Sequence, residues 1–340
     1  MNKADAYHQT LHVSRNVVRH RYKTAVAYAE QVAHFVGWCQ ANPITGTNEN
    51  RVTAYLDYVA PRIAASTQNV KLNALLFFFD KVLGKPLGDL GQWTYARRSK
   101  RLPVWLNPTE TLRLLNLMHG IHQLMARVTY GSGLRLMECV RLRIQHIDLE
   151  QRTAFIIGAK GDKDRIVPLA QSVIADLAEH IQRVRALWEG DQANGLPPVA
   201  LPDGLERKYP NYGRMWEWFW LWPARSTSRD PETGIVRRHH THEDVYSRAL
   251  KVAARKAGIG KRVTMHTLRH TFATHFLENG GDVHVLQKLM GHSHLETTSV
   301  YLHCLPKLIS QASSPLDAIE ASIVPFETAQ PLRDLRALRG

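Results

Sequence analysis

Apolar residues recur three or four positions apart through much of residues 1–96. In 24–38 this spacing puts the apolar side chains on one face, which predicts a helix that ends at the Asn42-Pro43 turn. The same pattern predicts helices over 52–59 and 66–82. We therefore predict a helical domain over 1–96.

The periodicity then stops in a cationic segment, 97–106, which reads as a linker. Its positive side chains are candidates for phosphate contact: Arg97, Arg98, Lys100 and Arg101. A new helix is predicted immediately afterwards, with Asn107 as N-cap, Pro108 at the first helical position and Glu110 at the third. We place the second domain at 107–320 and a tail at 321–340.

The second domain mixes helical and extended patterns. A helix is predicted over 121–130, and β-branched runs at 153–157 and 165–169 predict two strands joined by a hairpin turn. Further on, Asp282 is a good N-cap for a helix that ends at Met290, with Gly291 as its terminator. The sequence thus predicts a mainly α fold with a small antiparallel β-sheet.

A long interruption of the helical pattern lies between a helix that ends near Trp188 and one that starts near His242, and we place an inserted element at about 190–225. It contains four tryptophans at alternate positions, 216 to 222, which is the period of one strand face, so a strand packed into the core is predicted. Cations, tyrosines and a short helix around Lys208 make the segment look like an inserted element. Protruding nucleic-acid bases are an alternative partner for aromatic side chains of this kind.

The net charge, the cysteine count and the lengths of the apolar runs limit the possible partners and cellular location. The 340 residues include 44 Lys and Arg against 30 Asp and Glu, a formal charge of +14, which points to a polyanion such as nucleic acid. Three cysteines without paired spacing suit a reducing compartment and exclude a disulfide framework or a cysteine zinc site. The apolar runs are too short to span a membrane and no signal-peptide pattern begins the chain, so a soluble cytoplasmic protein is expected.

Candidate chemistry is concentrated in 265–303. His266 and Arg269 are three residues apart and share a helix face, His292 follows a predicted helix end, and Tyr301 lies nine residues further on. A tyrosine has a pKa of about 10, so it attacks phosphorus at neutral pH only when cations and a base assist it. The alternative is a basic helical hairpin in which the tyrosine packs in the core.

Two earlier motifs add to this set. In the Gly-Leu-Arg-x-x-Glu sequence, Glu138 lies three residues after Arg135 and can hold its guanidinium, although such a pair is usually an ordinary surface pair. Lys160 lies at the tip of the predicted hairpin, where a lysine is normally exposed but can also reach into a cleft.

Taken together, these motifs resemble the tyrosine recombinase (phage integrase) family. The boxes that carry the resemblance are Gly-Leu-Arg-x-x-Glu, the lysine hairpin, His-Thr-Leu-Arg-His and Leu-Met-Gly-His-Ser…Tyr. The resemblance implies a two-domain DNA clamp, with a helical core-binding (SAM-like) domain and a mixed α/β catalytic domain. It implies six catalytic residues: Arg135, Lys160, His266, Arg269, His292 and Tyr301.

The family likeness also implies their roles. The two arginines would clamp the scissile phosphate, Tyr301 would form a 3′-phosphotyrosine, and Lys160 would protonate the leaving 5′ oxygen. His266 would take the tyrosine proton, His292 would hydrogen-bond the phosphate, and Glu138 would orient the arginine side. No cofactor, ATP or metal is expected. The implied partner is DNA, with a homotetramer in the synaptic complex, a monomer free in solution, no membrane, and a bacterial cytoplasmic location.

The inserted element resembles that of one subfamily, the integron integrases, which integrate and excise gene cassettes. This likeness implies contact with folded single-stranded sites as well as duplex sites, with Lys208, His239 and His240 as candidate contacts. The alternatives are a phage-type or chromosome-resolving recombinase on duplex sites, a type IB topoisomerase, or a DNA-binding regulator without catalysis.

The histidine-rich segment 239–242 has three interpretations. Thr241 can be a helix N-cap with Asp244 at the third position, the imidazoles can stack on bases, or the cluster can hold a metal. A metal site is the least favoured, because no cysteine or carboxylate partner has suitable spacing.

Overall fold

The computed structural model describes residues 1–18, 20, 22–91, 93, 103–157, 164–202 and 204–302. The cations of the predicted linker, Lys160 with its hairpin tip, and the tail 321–340 lie outside these residues. The chain divides into two compact units, Met1–Arg101 and Leu102–Gly340. The predicted fold class, mainly α with small antiparallel sheets, is confirmed.

All the regular secondary structure in the described residues of the first unit is helical. Its helices are α1 (Lys3–His12), α2 (Tyr22–Ala41), α3 (Asn48–Val59) and α4 (Ala65–Phe77), with π-helical turns at Val13–Val17 and Phe78–Val82 and a 3₁₀ turn at Ala60–Arg62. The three predicted helices are present. Helix α1 was not predicted; the side chain of Asn2 caps it by accepting a hydrogen bond from the Asp5 amide at 2.8 Å.

The core of this unit is formed by apolar faces of α2, α3 and α4, as the helical spacing requires. Its buried side chains include Val32, Phe35, Val52, Leu56, Leu72 and Leu75. The Lys71 side chain is buried beside this core, and its ammonium donates to the Gln31 side chain at 2.6 Å and to the Tyr55 hydroxyl at 3.1 Å. Burial lowers the pKa of Lys71.

The second unit contains the remaining helices. They are α5 (Pro108–Asn116), α6 (Gly120–Gly131), α7 (Leu136–Val140), α8 (Ile174–Ala193), α9 (Leu205–Lys208), α10 (Glu243–Lys256), α11 (Met265–Glu278), α12 (Val283–Met290) and α13 (Leu295–Ser299). The predicted caps of α5 and α12 are confirmed. Asn107 and Glu110 form a capping box, Asp282 accepts from two amides of α12, and Gly291 ends that helix in the left-handed region at φ 59°.

A three-stranded antiparallel sheet lies early in this unit. Strand β1 (Ile147–Asp148) pairs with β2 (Thr153–Ile156), which pairs with β3 (Arg165–Pro168). The last pair is the predicted hairpin, with Ile156 opposite Arg165. The inward side chains Ala154, Ile156 and Val167 are buried in a core shared with α5, α6, α7, α10 and the start of α11.

The predicted tryptophan-rich strand is wrong. Trp216–Trp218 is a 3₁₀ turn, and the following segment pairs only singly, at Arg143 with Trp220 and at Pro223 with His240. The second bridge is held by the Thr241 amide, which donates to the Trp222 carbonyl at 2.7 Å, and by the Ala224 amide, which donates to the His239 carbonyl at 2.8 Å. The predicted burial holds for half of the set: Trp220 and Trp222 are buried, whereas Trp216 and Trp218 are partly exposed.

Hydrogen bonds and ion pairs attach the interruption to the rest of the second unit. The Arg143 guanidinium donates to the carbonyls of Trp218 and Ala200 and lies 3.9 Å from the Trp220 ring centre. After the insertion, a two-stranded sheet pairs β4 (Ser228–Arg229) with β5 (Val236–Arg237). From β5, Arg237 reaches Asp230 and the Glu206 carboxylate of α9, the latter at 2.7 Å.

The next arginine, Arg238, forms a buried pair with Asp191 at the end of α8, with Nη2 2.6 Å from Oδ1. The insertion is therefore fixed to the segment before β1 through Arg143 and to β5 through Arg237, while Arg238 fixes the end of β5 to α8. Across the described part of the chain, no helix combines the length and apolar character needed to cross a membrane.

Candidate active site

Helix α11 positions the centre of the candidate site. Thr264 and Thr267 form a capping box at its start, and the Leu268, Phe272 and Ala273 side chains are buried beneath it. His266, Arg269 and His270 follow one another at i, i+3 and i+4 and so lie on one face. His266 is exposed at the start of the helix, Arg269 is buried and His270 is half-buried.

The Arg269 guanidinium joins three parts of the unit. It donates to the Gly133 carbonyl at 2.6 Å, to the carbonyl of Met290 at the end of α12, and lies 3.2 Å from His292 Nε2. Burial, with Arg135 nearby, lowers its pKa to about 9, so it remains charged at neutral pH. This side chain is held in one orientation before any ligand arrives.

Glu138 organises the second arginine, as predicted, and a third that was not predicted. Its carboxylate accepts from Arg135 Nη1 at 2.7 Å and from Arg165 Nη2 at 2.6 Å, and lies 3.8 Å from Arg269. Burial by itself would raise the pKa of Glu138, but the hydrogen bonds and charges of Arg165 and Arg135 lower it to about 2. The carboxylate is therefore ionised and locks the guanidinium cluster.

Arg135 is the more accessible of these guanidinium groups. It is the N-cap residue of α7, its side chain is 24 % exposed, and its Nη2 donates to the Gly291 carbonyl at 3.2 Å. The Arg165 side chain is only 8 % exposed, and its Nε donates to the Leu289 carbonyl at 2.8 Å. Arg135 thus offers donors to a ligand, while Arg165 fixes β3 to α12.

His292 lies just past the end of α12, as the Gly291 terminator predicts. Its Nδ1 is 2.9 Å from the Thr298 hydroxyl of α13, and its Nε2 faces Arg269. Burial and the nearby charges of Arg269, Arg135 and Arg165 lower its pKa to about 4. The ring is neutral at pH 7.

Tyr301 is buried, with 3 % of its surface exposed, directly after α13. Its hydroxyl is 2.8 Å from His270 Nδ1, and its ring is stacked 6.5 Å from His292. The alternative interpretation, a tyrosine packed in a helical hairpin, agrees with this burial and with a hydrogen-bonded hydroxyl, but it does not account for the charge of Arg269 and the ring of His292 beside the tyrosine. The tyrosine hydroxyl therefore lies beside the imidazoles of His270 and His292 and near the Arg269 guanidinium.

The structure therefore brings together most of the predicted residues: Arg135, Glu138, His266, Arg269, His292 and Tyr301. Lys160 lies outside the described residues. Two guanidinium groups beside a neutral histidine and a phenol form a site that can bind a phosphodiester and present a nucleophile to it.

The candidate base-contact residues lie elsewhere: Lys208 is in the insertion, and His239 and His240 follow it. Lys208 is exposed at the end of α9, with its ammonium 5.1 Å from the Tyr209 ring centre. His240 is half-buried and packs edge-on against Trp220 at 5.1 Å; burial lowers its pKa to about 4. His239 is also half-buried, and burial lowers its pKa as well.

The predicted N-cap at Thr241 is wrong by one residue. His242 caps α10, with its Nδ1 accepting from the Asp244 amide at 3.2 Å. The Thr241 hydroxyl instead donates to the Pro223 carbonyl at 3.3 Å, because the bridge at His240 keeps this segment extended. Among the described residues, no three His, Cys, Asp or Glu side chains are grouped as a metal ion would require.

Two residues of the site were missed by sequence reasoning. Arg165 was assigned only to a strand, and no local spacing connects it to Glu138, 27 positions earlier. His270 stands in the His-Thr-Leu-Arg-His motif, one helical turn after His266, and that spacing was a usable signal.

Comparison with known proteins gives consistent family matches. Residues 104–307 match the model described as phage integrase family, and residues 8–89 match phage integrase, N-terminal SAM-like domain. An integrase/recombinase from Escherichia coli is 41% identical over 299 residues, covering 87% of this chain and 89% of that protein. Tyrosine recombinase XerD of Pseudomonas putida is 30% identical over 302 residues, covering 85% and 89%.

Solved structures share the fold. The XerH site-specific recombinase bound to palindromic difH substrate, a post-cleavage complex, has a TM-score of 0.60 at 20% identity and covers 93% of this chain and 85% of that one. The Tn1549 transposon integrase in complex with transposon right end DNA has a TM-score of 0.56 at 16% identity, covering 94% and 98%.

Proposed function

The chain belongs to the phage integrase family, the tyrosine recombinases that cleave and rejoin DNA at specific sites, and from this premise we propose that it is an integron integrase. Its reaction would integrate and excise gene cassettes through a 3′-phosphotyrosine intermediate. Its DNA sites would include folded single strands as well as duplexes.

The chemistry proceeds from the geometry of the site. Arg135 and Arg269 bind the non-bridging oxygens of the scissile phosphate and stabilise the charge that grows in the transition state. His292, held by Thr298, donates a hydrogen bond to the same phosphate. The Tyr301 oxygen attacks phosphorus, and the 5′ oxygen leaves.

Glu138 and Lys160 support this step. Glu138 holds Arg135 and Arg165 and so fixes the phosphate-binding donors before DNA binds. Lys160, from the hairpin between β2 and β3, protonates the departing 5′ oxygen. The covalent link conserves the energy of the phosphodiester, so rejoining needs no ATP.

The proposed assembly follows from the reaction. Recombination exchanges strands between two sites, each bound by two protomers, so a homotetramer forms on DNA from protomers that are monomers in solution. The cations of the linker, Arg97, Arg98, Lys100 and Arg101, contact phosphates.

One observation carries the cassette-specific part of the proposal: the insertion presents an exposed aromatic and cationic surface on a fixed support. Tyr209 and Tyr212 stack at 4.6 Å with their planes 10° apart, and both are exposed. Lys208 lies over Tyr209, and Arg237 fixes α9 through Glu206. Bases that protrude from a folded hairpin need such rings for stacking and such cations for phosphate. His239 and His240, which follow the insertion in the chain, are the histidine candidates for base contact.

The test compares two DNA forms of one site. The site is first recovered by incubating the protein with sheared DNA of the source cells, denaturing in detergent, and sequencing the DNA that stays attached. From that sequence a hairpin with two extrahelical bases and a fully paired duplex are made, and both are titrated at one salt concentration.

Stacking one base contributes about 1–3 kcal/mol, or roughly ten- to a hundred-fold in affinity. We expect Tyr209→Ala with Tyr212→Ala to weaken hairpin binding by about that factor and duplex binding much less, and likewise for His239→Ala with His240→Ala. The matched control, Tyr209→Phe with Tyr212→Phe, keeps the rings and should bind both forms as the wild type does.

The second candidate is a duplex-site recombinase, which the 30% identity with a XerD protein favours. A recombinase of that kind reads groove edges and needs no stacking surface. Equal losses on hairpin and duplex would make the insertion a structural element and favour this candidate.

A further inference from the structure

The hydroxyl of the proposed nucleophile already has a histidine partner, and it is not the one that the motif suggests. His270 Nδ1 lies 2.8 Å from Tyr301 Oη. We propose that His270 is the catalytic residue that accepts the Tyr301 proton during attack, an inference that rests on the proposed recombinase function of this site.

Helix geometry separates His270 from His266. The two imidazoles are one turn apart on α11, with ring centres 6.3 Å apart. His266 is exposed at the start of the helix, whereas His270 is half-buried against the Tyr301 ring, with centres 5.6 Å apart. The exposed position suits contact with the DNA backbone, and the inner position suits transfer of the tyrosine proton.

The surroundings of His270 keep its ring neutral in the DNA-free protein. It faces His266 and Arg269 of its own helix, His292 from the turn after α12, and Tyr301 after α13. Burial, with the charges of His266 and Arg269, lowers the pKa of His270 to about 4, so an unprotonated nitrogen is available at pH 7.

A histidine of such low pKa is a weak base for a phenol whose pKa is about 10. A bound phosphodiester changes this balance, because its negative charge lies beside Arg269 and offsets the charge that disfavours imidazolium. Proton transfer is thereby coupled to the presence of the scissile phosphate.

The bond between Tyr301 Oη and phosphorus forms as the bond between phosphorus and the 5′ oxygen breaks. The tyrosine proton moves to His270 Nδ1, and the 5′ oxygen receives a separate proton from the leaving-group side. In the reverse reaction His270 returns its proton to the tyrosine oxygen.

The experiment measures single-turnover cleavage of a recovered site on a nicked duplex, in which loss of the short product traps the covalent adduct. His270→Asn keeps a polar group near the Nδ1 position but accepts no proton. We expect its cleavage rate constant to fall by about a hundred-fold or more, with DNA affinity unchanged.

Helix α11 offers a matched control. His275 Nδ1 is likewise 2.8 Å from a tyrosine hydroxyl, that of Tyr130, which is not the nucleophile. His275→Asn should therefore cleave at about the wild-type rate. A rate for His270→Asn equal to that of this control would overturn the proposal, because it would reduce His270 to a hydrogen-bonding partner.

Two further readouts separate proton transfer from support of the fold. The rate of His270→Ala should rise with pH toward the pKa of tyrosine, about 10, and with added imidazole, whereas the wild type reaches a plateau. In a substrate with sulfur at the bridging 5′ position, the 5′ thiolate leaves without protonation. This substrate should therefore not restore the cleavage rate of His270→Asn. Restoration would place His270 on the leaving-group side and contradict the proposal.

Failure of the proposed function is distinguishable from failure of this inference. If the wild type forms no covalent adduct, the recombinase assignment of the site is wrong. If the wild type forms the adduct and His270→Asn is fully active with an unchanged pH dependence, only the role proposed for His270 is wrong.

Discussion

Removal of the Glu138 charge is the perturbation whose size the structure defines best. Its side chain is 9 % exposed and bonded to Arg135 and Arg165. The fall of its pKa from 4.5 to about 2 corresponds to roughly 3 kcal/mol of stability. Breaking one side of a buried ion pair costs about 3–5 kcal/mol, which agrees. We therefore predict that Glu138→Gln lowers the free energy of unfolding by about 3 kcal/mol.

The assay is urea unfolding of the full chain followed by tryptophan fluorescence, since six of the eight tryptophans lie after residue 102. The matched control is Glu179→Gln on α8, because Glu179 pairs with Arg183 at an exposed position. That change should cost about 0.5 kcal/mol or less.

The pH dependence gives a second check on the same carboxylate. Its folded pKa lies below the unfolded value, so its contribution is fully present above pH 4.5 and is lost as the pH falls toward 2. The difference between wild type and Glu138→Gln should shrink over that window. A Glu138→Gln cost no larger than that of Glu179→Gln would refute the reasoning.

Three other predictions concern the histidines, the insertion and the chemistry. Because the folded pKa values of His270 and His292 are lowered to about 4 from about 6.5, stability should fall as pH drops from 6.5 to 4; unchanged urea midpoints at pH 7 and pH 5 would contradict this. Arg143→Met leaves the Trp218 and Ala200 carbonyls without their donor, so it should lower the free energy of unfolding by about 1–3 kcal/mol and speed proteolysis within 200–218. The control Arg141→Met changes an exposed arginine two positions earlier and should have neither effect. Strand cleavage should survive excess EDTA; its loss with DNA binding intact would make the histidines at 239–242 a metal site.

Local signals in the sequence predicted a large part of the fold. The Asn107 and Asp282 caps and the Gly291 terminator were predictable because each depends on residues within one helical turn. Glu138 and Arg135 were predictable for the same reason. The prediction for the tryptophan-rich segment failed because alternation alone does not supply pairing partners, and a 3₁₀ turn at Trp216–Trp218 and two single bridges stand where a strand was expected.

Contacts between distant positions account for the rest of the site. Arg165 reaches Glu138 only because β3 folds back beside α7 and α12, and no local pattern encodes that approach. His270 meets Tyr301 across 31 positions, through the turn between α12 and α13. The motif indicated which residue types gather, and the fold decides which histidine touches the nucleophile.

Covalent capture of DNA by Tyr301 tests the central claim most directly. The recovered site is incubated as an end-labelled nicked duplex with wild type and with Tyr301→Phe, which lacks only the attacking oxygen. On a denaturing gel, the wild type should shift the label to a protein-linked band through the 3′ phosphate, and protease should release it. Tyr301→Phe should bind the same DNA with equal affinity and give no such band. A protein-linked band from Tyr301→Phe, or none from a wild type that binds the site, would contradict the account.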